Sequence, residues 1–189
     1  ASGATITATN YSLNVGTISA ILAGGDLSTF GTTNETMTLT AANTYTGRTI
    51  LGGSANILSV GTLANGGSPS GVGASSANPT NLVFAGGGLA YTGPATTTDR
   101  GYQVLSGGAI SVSGDLNLTG AVLPGTGVFA KGGPANLTYS RVDTNILSSG
   151  YGAARAVLWI VAEVARFSAA TCAGCPMSNA AHSSRASAL

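Results

Sequence analysis

The chain has 189 residues, of which only 7% are charged and 29 are glycine, with a formal net charge of +1. An ordinary soluble domain carries about 25% charged residues. So sparse a set, with Arg48, Arg100, Lys131, Arg141, Arg155, Arg166 and Arg185 scattered along the chain, excludes an electrostatic case for nucleic acid or for an anionic membrane surface.

In chain order, the first region reads as short strands parted by turns. Residues 4–7 and 11–15 alternate apolar and polar, as do 36–40, 109–113, 116–119 and 136–139. Alternation at period two places Ile, Leu and Val on one face of a strand and Thr, Ser or Asn on the other. Between these lie Gly24-Gly25-Asp26, Gly52-Gly53, Asn65-Gly66-Gly67, Gly86-Gly87-Gly88, Gly107-Gly108 and Gly132-Gly133. They supply the positive φ angles of tight corners. Regular apolar rows weigh against a disordered low-complexity chain. The stretch from Ala20 to Leu39 resembles that from Ala121 to Tyr139, at an offset of about 100 residues with one residue gained or lost, which suggests an array of stacked units.

The composition breaks near Gly150. Every Tyr but Tyr151 lies before it; both Cys, the only His and the only Trp lie after it. We therefore expect a strand-rich region at 1–149 and a distinct tail at 150–189. Residues 151–170 predict a helix with Leu158, Val161, Val164 and Ala165 on one side. Two readings of the tail compete: a cap over the last open coil, or an out-of-frame translation of a longer repeat gene. The longest apolar run, Ala156 to Ala162, is far short of the roughly 20 residues of a membrane-spanning helix. The start at Ala1-Ser2-Gly3 shows no signal peptide, as expected of an internal fragment or processed product.

Few residues suggest chemistry. Asp26, Glu35, Asp99, Asp115 and Asp143 are too widely spaced for a carboxylate pair. Asp99-Arg100 reads either as a charged binding spot or, by preference, as a solvated corner with a marginal ion pair. Cys172 and Cys175 have redox-motif spacing without the context that motif needs, and with His182 they are too few for zinc. Ser183 and Ser184 beside His182 make no triad. Asn10, Asn34, Asn117 and Asn136 head sequons that arise by chance in a chain rich in Ser and Thr. No catalytic, cofactor-binding or metal-binding residue is assigned.

One segment is specific. Thr38-Leu39-Thr40-Ala41-Ala42-Asn43-Thr44-Tyr45-Thr46-Gly47-Arg48-Thr49-Ile50, followed by Gly52-Gly53, resembles the passenger-associated repeat of bacterial autotransporters. It departs at Ala41 and Arg48, where that repeat usually has Gly, and Ser54-Ala55-Asn56 intervenes before Ile57. Residues 81–84, 86–89, 91–93 and 98–100 share the phrasing of these passengers, and 129–138 resembles the lead-in to a further repeat. The resemblance covers roughly residues 1–140.

It implies an all-β fold, a right-handed parallel β-helix of about five to seven coils, exported and displayed or released at the cell surface. The translocator barrel through which such a passenger meets the membrane is absent from this chain. A structural or adhesive role follows, with a host-surface or matrix glycan or protein as ligand and with self-association between helices as a further contact. The alternative is a fragment of a carbohydrate-active β-helix enzyme, of polysaccharide lyase or glycosidase type. A phage fibre coil would need apolar exteriors that the Thr, Ser and Asn faces do not offer. Within the motif, Asn43 and Tyr45 are candidate ligand contacts. The blander reading puts Asn43 in a corner or amide ladder and packs Tyr45 on the neighbouring coil.

Overall fold

The computed structural model describes residues 3–31, 34–123 and 125–139. The expected tail helix, the boundary near Gly150, Asp143, Cys172, Cys175 and His182 lie outside the described residues.

All the described strands pair in parallel, and they wind through three faces. The first face stacks β1 (Thr5–Leu13), β3 (Ile21–Thr29), β5 (Thr49–Gly52), the first half of β7 (Leu82–Tyr91), the first half of β9 (Tyr102–Val112) and β11 (Val122–Leu123). The second stacks β2 (Gly16–Ile18), β4 (Thr36–Leu39), β6 (Ile57–Val60), the second halves of β7 and β9, and β12 (Phe129–Gly132). The third holds β8 (Thr96–Thr98), β10 (Leu116–Leu118) and β13 (Leu137–Tyr139). This is a parallel β-helix segment. Six strand levels at about 4.8 Å make a rod about 24 Å long.

Period-two alternation sends one set of side chains into the coil. Register then lines them up: Leu13, Thr29, Leu51, Phe84 and Val104 form one inward row, and Ile18, Leu39, Val60, Tyr91 and Val112 another. Leu27, Leu51, Leu58, Phe84 and Val112 have no exposed surface. Each level thus buries its apolar face on the next, which is why a repeat of this kind cannot hold its core alone.

Several expectations change in detail. The alternating stretches 4–7 and 11–15 are joined in one strand, β1, which takes in residues 5–7 and 11–13 of them. Gly86-Gly87-Gly88 and Gly107-Gly108 do not end strands; they lie inside β7 and β9 where each passes from the first face to the second. Gly86 and Gly107 take φ +100° and +105°, and the bend costs little there because neither has a Cβ. The 100-residue self-similarity holds for only half its length. Ile21 and Val122 fall on the first face, but Met37 lies on the second face and Leu137 on the third. Phe129–Gly132 supplies the second-face strand that breaks the correspondence.

The coils are unequal. Thr5 pairs with Ile21, 16 residues on, because Ser19 and Ala20 alone join β2 to β3. Later steps are near 21, as between Tyr91 and Val112. One step is far longer: Thr49 pairs with Leu82. The excess is an excursion over residues 61–81, ending in a short 3-10 turn at Pro79–Asn81 capped by the Asn78 side chain.

Candidate functional site

The motif segment 38–50 carries the chain from β4 across the third side to β5. Asn43 is wholly buried there. Its Oδ1 accepts from Leu22 N at 2.9 Å, in the preceding coil, and its Nδ2 donates to Gly71 O at 3.2 Å, in the following one. Its main chain also pairs with Ser70 in both directions. One amide thus ties three levels together, satisfying main-chain groups of the coils on either side.

Tyr45 is equally buried, with its hydroxyl 2.8 Å from Thr49 Oγ1 and its ring tilted against Tyr11 at 6.3 Å. Burial pushes its phenol well above the ordinary tyrosine range, and the Thr49 contact only partly offsets this. Neither side chain reaches solvent, so neither is a surface ligand contact; the corner and packing readings describe them. The motif glycine is explained too. A Cβ on Gly47 would lie 2.4 Å from the Gly25 carbonyl carbon of the coil beneath.

The solvated-corner reading of Arg100 is overturned. Arg100 is 3% exposed and gathers the carbonyls of the 61–81 excursion. Nε donates to Ala64 O at 2.7 Å. One terminal nitrogen donates to Ser75 O and Oγ; the other reaches Gly73 O at 2.8 Å, Ser68 O at 3.0 Å and Asn65 O at 3.4 Å. Burial lowers its pKa, opposed by Tyr45 and Asp99. A guanidinium suits this place because its fixed fork has five donors and the excursion turns several carbonyls inward. Asp99 works on the same loop through Gly66 N, which donates to Oδ1 at 2.7 Å. The sequence signal for this pair was the surplus length between Val60 and Leu82, not the charges themselves.

Two further carboxylates are also used across coils. Asp26 Oδ1 accepts from Arg48 N at 2.8 Å, and Asp115 Oδ1 accepts from Asn136 N at 2.8 Å. Among the described residues, no three of His, Cys, Asp and Glu gather in one place, and no helix is long and apolar enough to cross a membrane.

Single apolar side chains such as Val15 and Val128 are exposed, and two faces also present rows of uncharged polar groups. Thr17, Thr38 and Ser59 stand in register on the second face. On the third, Thr97, Asn117 and Thr138 stand in register, and with Thr96, Asp115 and Asn136 they line a shallow open trough. Such a surface offers rows of hydroxyl and amide groups repeating at the strand spacing of about 4.8 Å.

The chain is similar to the "Adhesin BmaC autotransporter" of Brucella suis biovar 1 (strain 1330), with 35% identity over 165 residues. The match covers 71% of this chain but only 5% of that adhesin, so the chain spans a small part of its relative's length. No family model and no solved structure matches.

Proposed function

The chain belongs to the autotransporter passengers, extracellular segments displayed at the bacterial cell surface, and from that premise we propose that this segment is a structural and adhesive piece of the displayed rod, without catalysis. The observation that carries the reading is how the polar groups are divided. Inward and at the corners, Asn43, Arg100, Asp26 and Asp115 are engaged by neighbouring coils. Outward, the rows at Thr17–Thr38–Ser59 and Thr97–Asn117–Thr138 are short, uncharged and repetitive. Groups of that kind exchange water for the hydroxyls of a glycan or the backbone of a matrix protein at low desolvation cost. We place host-surface or matrix glycan or protein contact on the third-face trough, and side-by-side association of rods on the flatter second face.

The test is binding of the 189-residue chain to immobilised matrix glycoproteins, intact and deglycosylated. Thr97→Arg and Thr138→Arg place bulk and charge in the trough without entering the core. Binding weakened about tenfold or more by either change, with the strand circular dichroism retained, supports the reading; a tenfold loss is about 1.4 kcal/mol. Binding that ignores both changes removes the trough from the proposal. The enzymatic alternative makes a different prediction: release of reducing or unsaturated ends from polysaccharides by this chain would replace the adhesive reading.

A further inference from the structure

The chain has one Asn-Gly step, Asn65-Gly66, and it lies in the excursion that Arg100 holds. Residues 65–68 form a turn in which Ser68 N donates to Asn65 O at 3.0 Å and Gly67 takes φ +84°. The turn is pinned from behind, because Gly67 N donates to Ser75 O at 2.8 Å. Position 66 admits only glycine: a Cβ there would lie 2.2 Å from Ala77 N. The residue that the packing demands is also the one whose amide nitrogen is least shielded by its own side chain.

Asp99 meets this step from the following coil in two ways. Its Oδ1 accepts from Gly66 N at 2.7 Å, and its own N–H donates to Asn65 Oδ1 at 3.1 Å. Asn65 and Asp99 are both exposed, so water reaches the pair. A carboxylate on the amide N–H can take its proton, and an N–H on the side-chain carbonyl can hold the charge that develops on that oxygen.

We propose that Asn65-Gly66 is a self-modification site, at which Asp99 drives loss of ammonia from the Asn65 side chain. Asp99 takes the Gly66 amide proton as the nitrogen attacks Asn65 Cγ. The new N–C bond closes a five-membered ring, and charge gathers on Asn65 Oδ1 against the Asp99 N–H. When the carbonyl re-forms, the Cγ–Nδ2 bond breaks. Nδ2 leaves as ammonia with the proton from Asp99, whose carboxylate is restored. Water then opens the cyclic imide at one of its two carbonyls and leaves aspartate or isoaspartate at position 65. Either product adds a negative charge near Asp99, and isoaspartate adds a methylene to the main chain. Asn65 O is one of the carbonyls that Arg100 gathers, at 3.4 Å, so the change falls on the anchorage of the excursion. The chemistry happens once in each chain and consumes only water.

The experiment follows position 65 of the 189-residue chain over time by peptide mass mapping, which separates the imide, aspartate and isoaspartate forms. It compares the folded chain with the chain unfolded in urea at the same pH and temperature. An unfolded Asn-Gly step reacts by its local sequence alone, so the ratio of the two rates isolates what the fold supplies. Asn65 should react faster in the folded chain, by about tenfold or more. Asp99→Asn keeps an acceptor for Gly66 N and keeps the main-chain N–H, but it cannot take the proton. It should slow the folded reaction by about tenfold or more and leave the rate in urea unchanged. If the folded chain reacts more slowly than the unfolded one, or if Asp99→Asn reacts as fast as the parent, Asp99 only pins the turn and the proposal fails. If Asp99→Asn loses its strand circular dichroism, the parent's folded-to-unfolded ratio decides alone.

Discussion

The coils before the excursion and those after it solve the same packing problem with different chemistry. From β1 to β6 the rod has two sheeted faces and a short third side, and its interior includes Thr29, Asn43, Thr49 and Asn56. After β7 a third sheet opens, and the interior is filled with aromatic rings. Phe84 meets Tyr102 and Phe129 edge-on at 5.5 and 4.9 Å, and Tyr102 stacks on Phe129 at 5.2 Å. The difference follows from the connections. A short third side brings main-chain groups close to the axis, where only small polar side chains can both fit and satisfy them. A wider coil leaves volume that large rings fill, with T-shaped and offset contacts adding about 0.5–1.5 kcal/mol each.

Arg100 is where the two halves are joined, since it sits after β8 and reaches back to residues 64–75. Its removal is the largest expected effect. Arg100→Met should cost about 3–5 kcal/mol, because several inward carbonyls lose their donor at once. Urea unfolding gives the total. Hydrogen exchange shows whether the loss stays within the excursion, at Gly71 N and Ala74 N, or spreads into β7 and β9. A confined loss means that the halves fold as separate units; a spread loss means that the excursion is the seam that couples them.

Within the polar half, Asn43 bears the comparison. Asn43→Ala strands Leu22 N and Gly71 O in a dry corner, and we expect a loss of about 2–3 kcal/mol. Asn43→Asp should be nearly as costly, because it restores the acceptor for Leu22 but buries a charge and offers no donor to Gly71. If Asn43→Ala costs under about 0.5 kcal/mol, water has entered the corner and the polar interior is not the dry network that the geometry implies.

How much of this was legible depends on whether a residue's role is local. The strands at Thr36–Leu39, Leu116–Leu118 and Leu137–Tyr139 follow from alternation alone, and the motif around Asn43 and Tyr45 points to the parallel β-helix. What escaped is non-local. Arg100 looks solvent-bound until the partners 25 to 36 residues upstream are brought to it. Gly86 and Gly107 look like strand ends because a sequence does not say that one strand can turn from one face to the next. Asn14, Glu35 and Asn56 come from different coils to meet over Gly31, so no window of sequence shows them together. The 100-residue self-similarity failed at its second half for a related reason: equal spacing does not ensure equal faces when coils differ in length.

The smallest effect is the one that samples both halves together. Tyr45 in the polar half, and Tyr102 and Tyr139 in the aromatic half, have phenols raised above their ordinary pKa, in each case chiefly by burial. A raised phenol pKa makes the folded state hold its proton more tightly than the unfolded chain does. The associated stability is complete below about pH 10 and falls as pH climbs past that value, by about 1.4 kcal/mol per pH unit for each such tyrosine. Tyr102→Phe removes one contributor. It also removes the 3.0 Å hydrogen bond that Tyr102 donates to Tyr139, at a cost of about 1 kcal/mol at neutral pH. Urea midpoints between about pH 9 and pH 11.5 should therefore show the variant starting lower and falling less steeply than the parent, so that the two curves converge. Tyr45→Phe should flatten the curve by a similar amount through a different part of the rod. If only one of the two changes the slope, the half that does not respond opens to solvent before the other, and the rod unfolds in two steps rather than one.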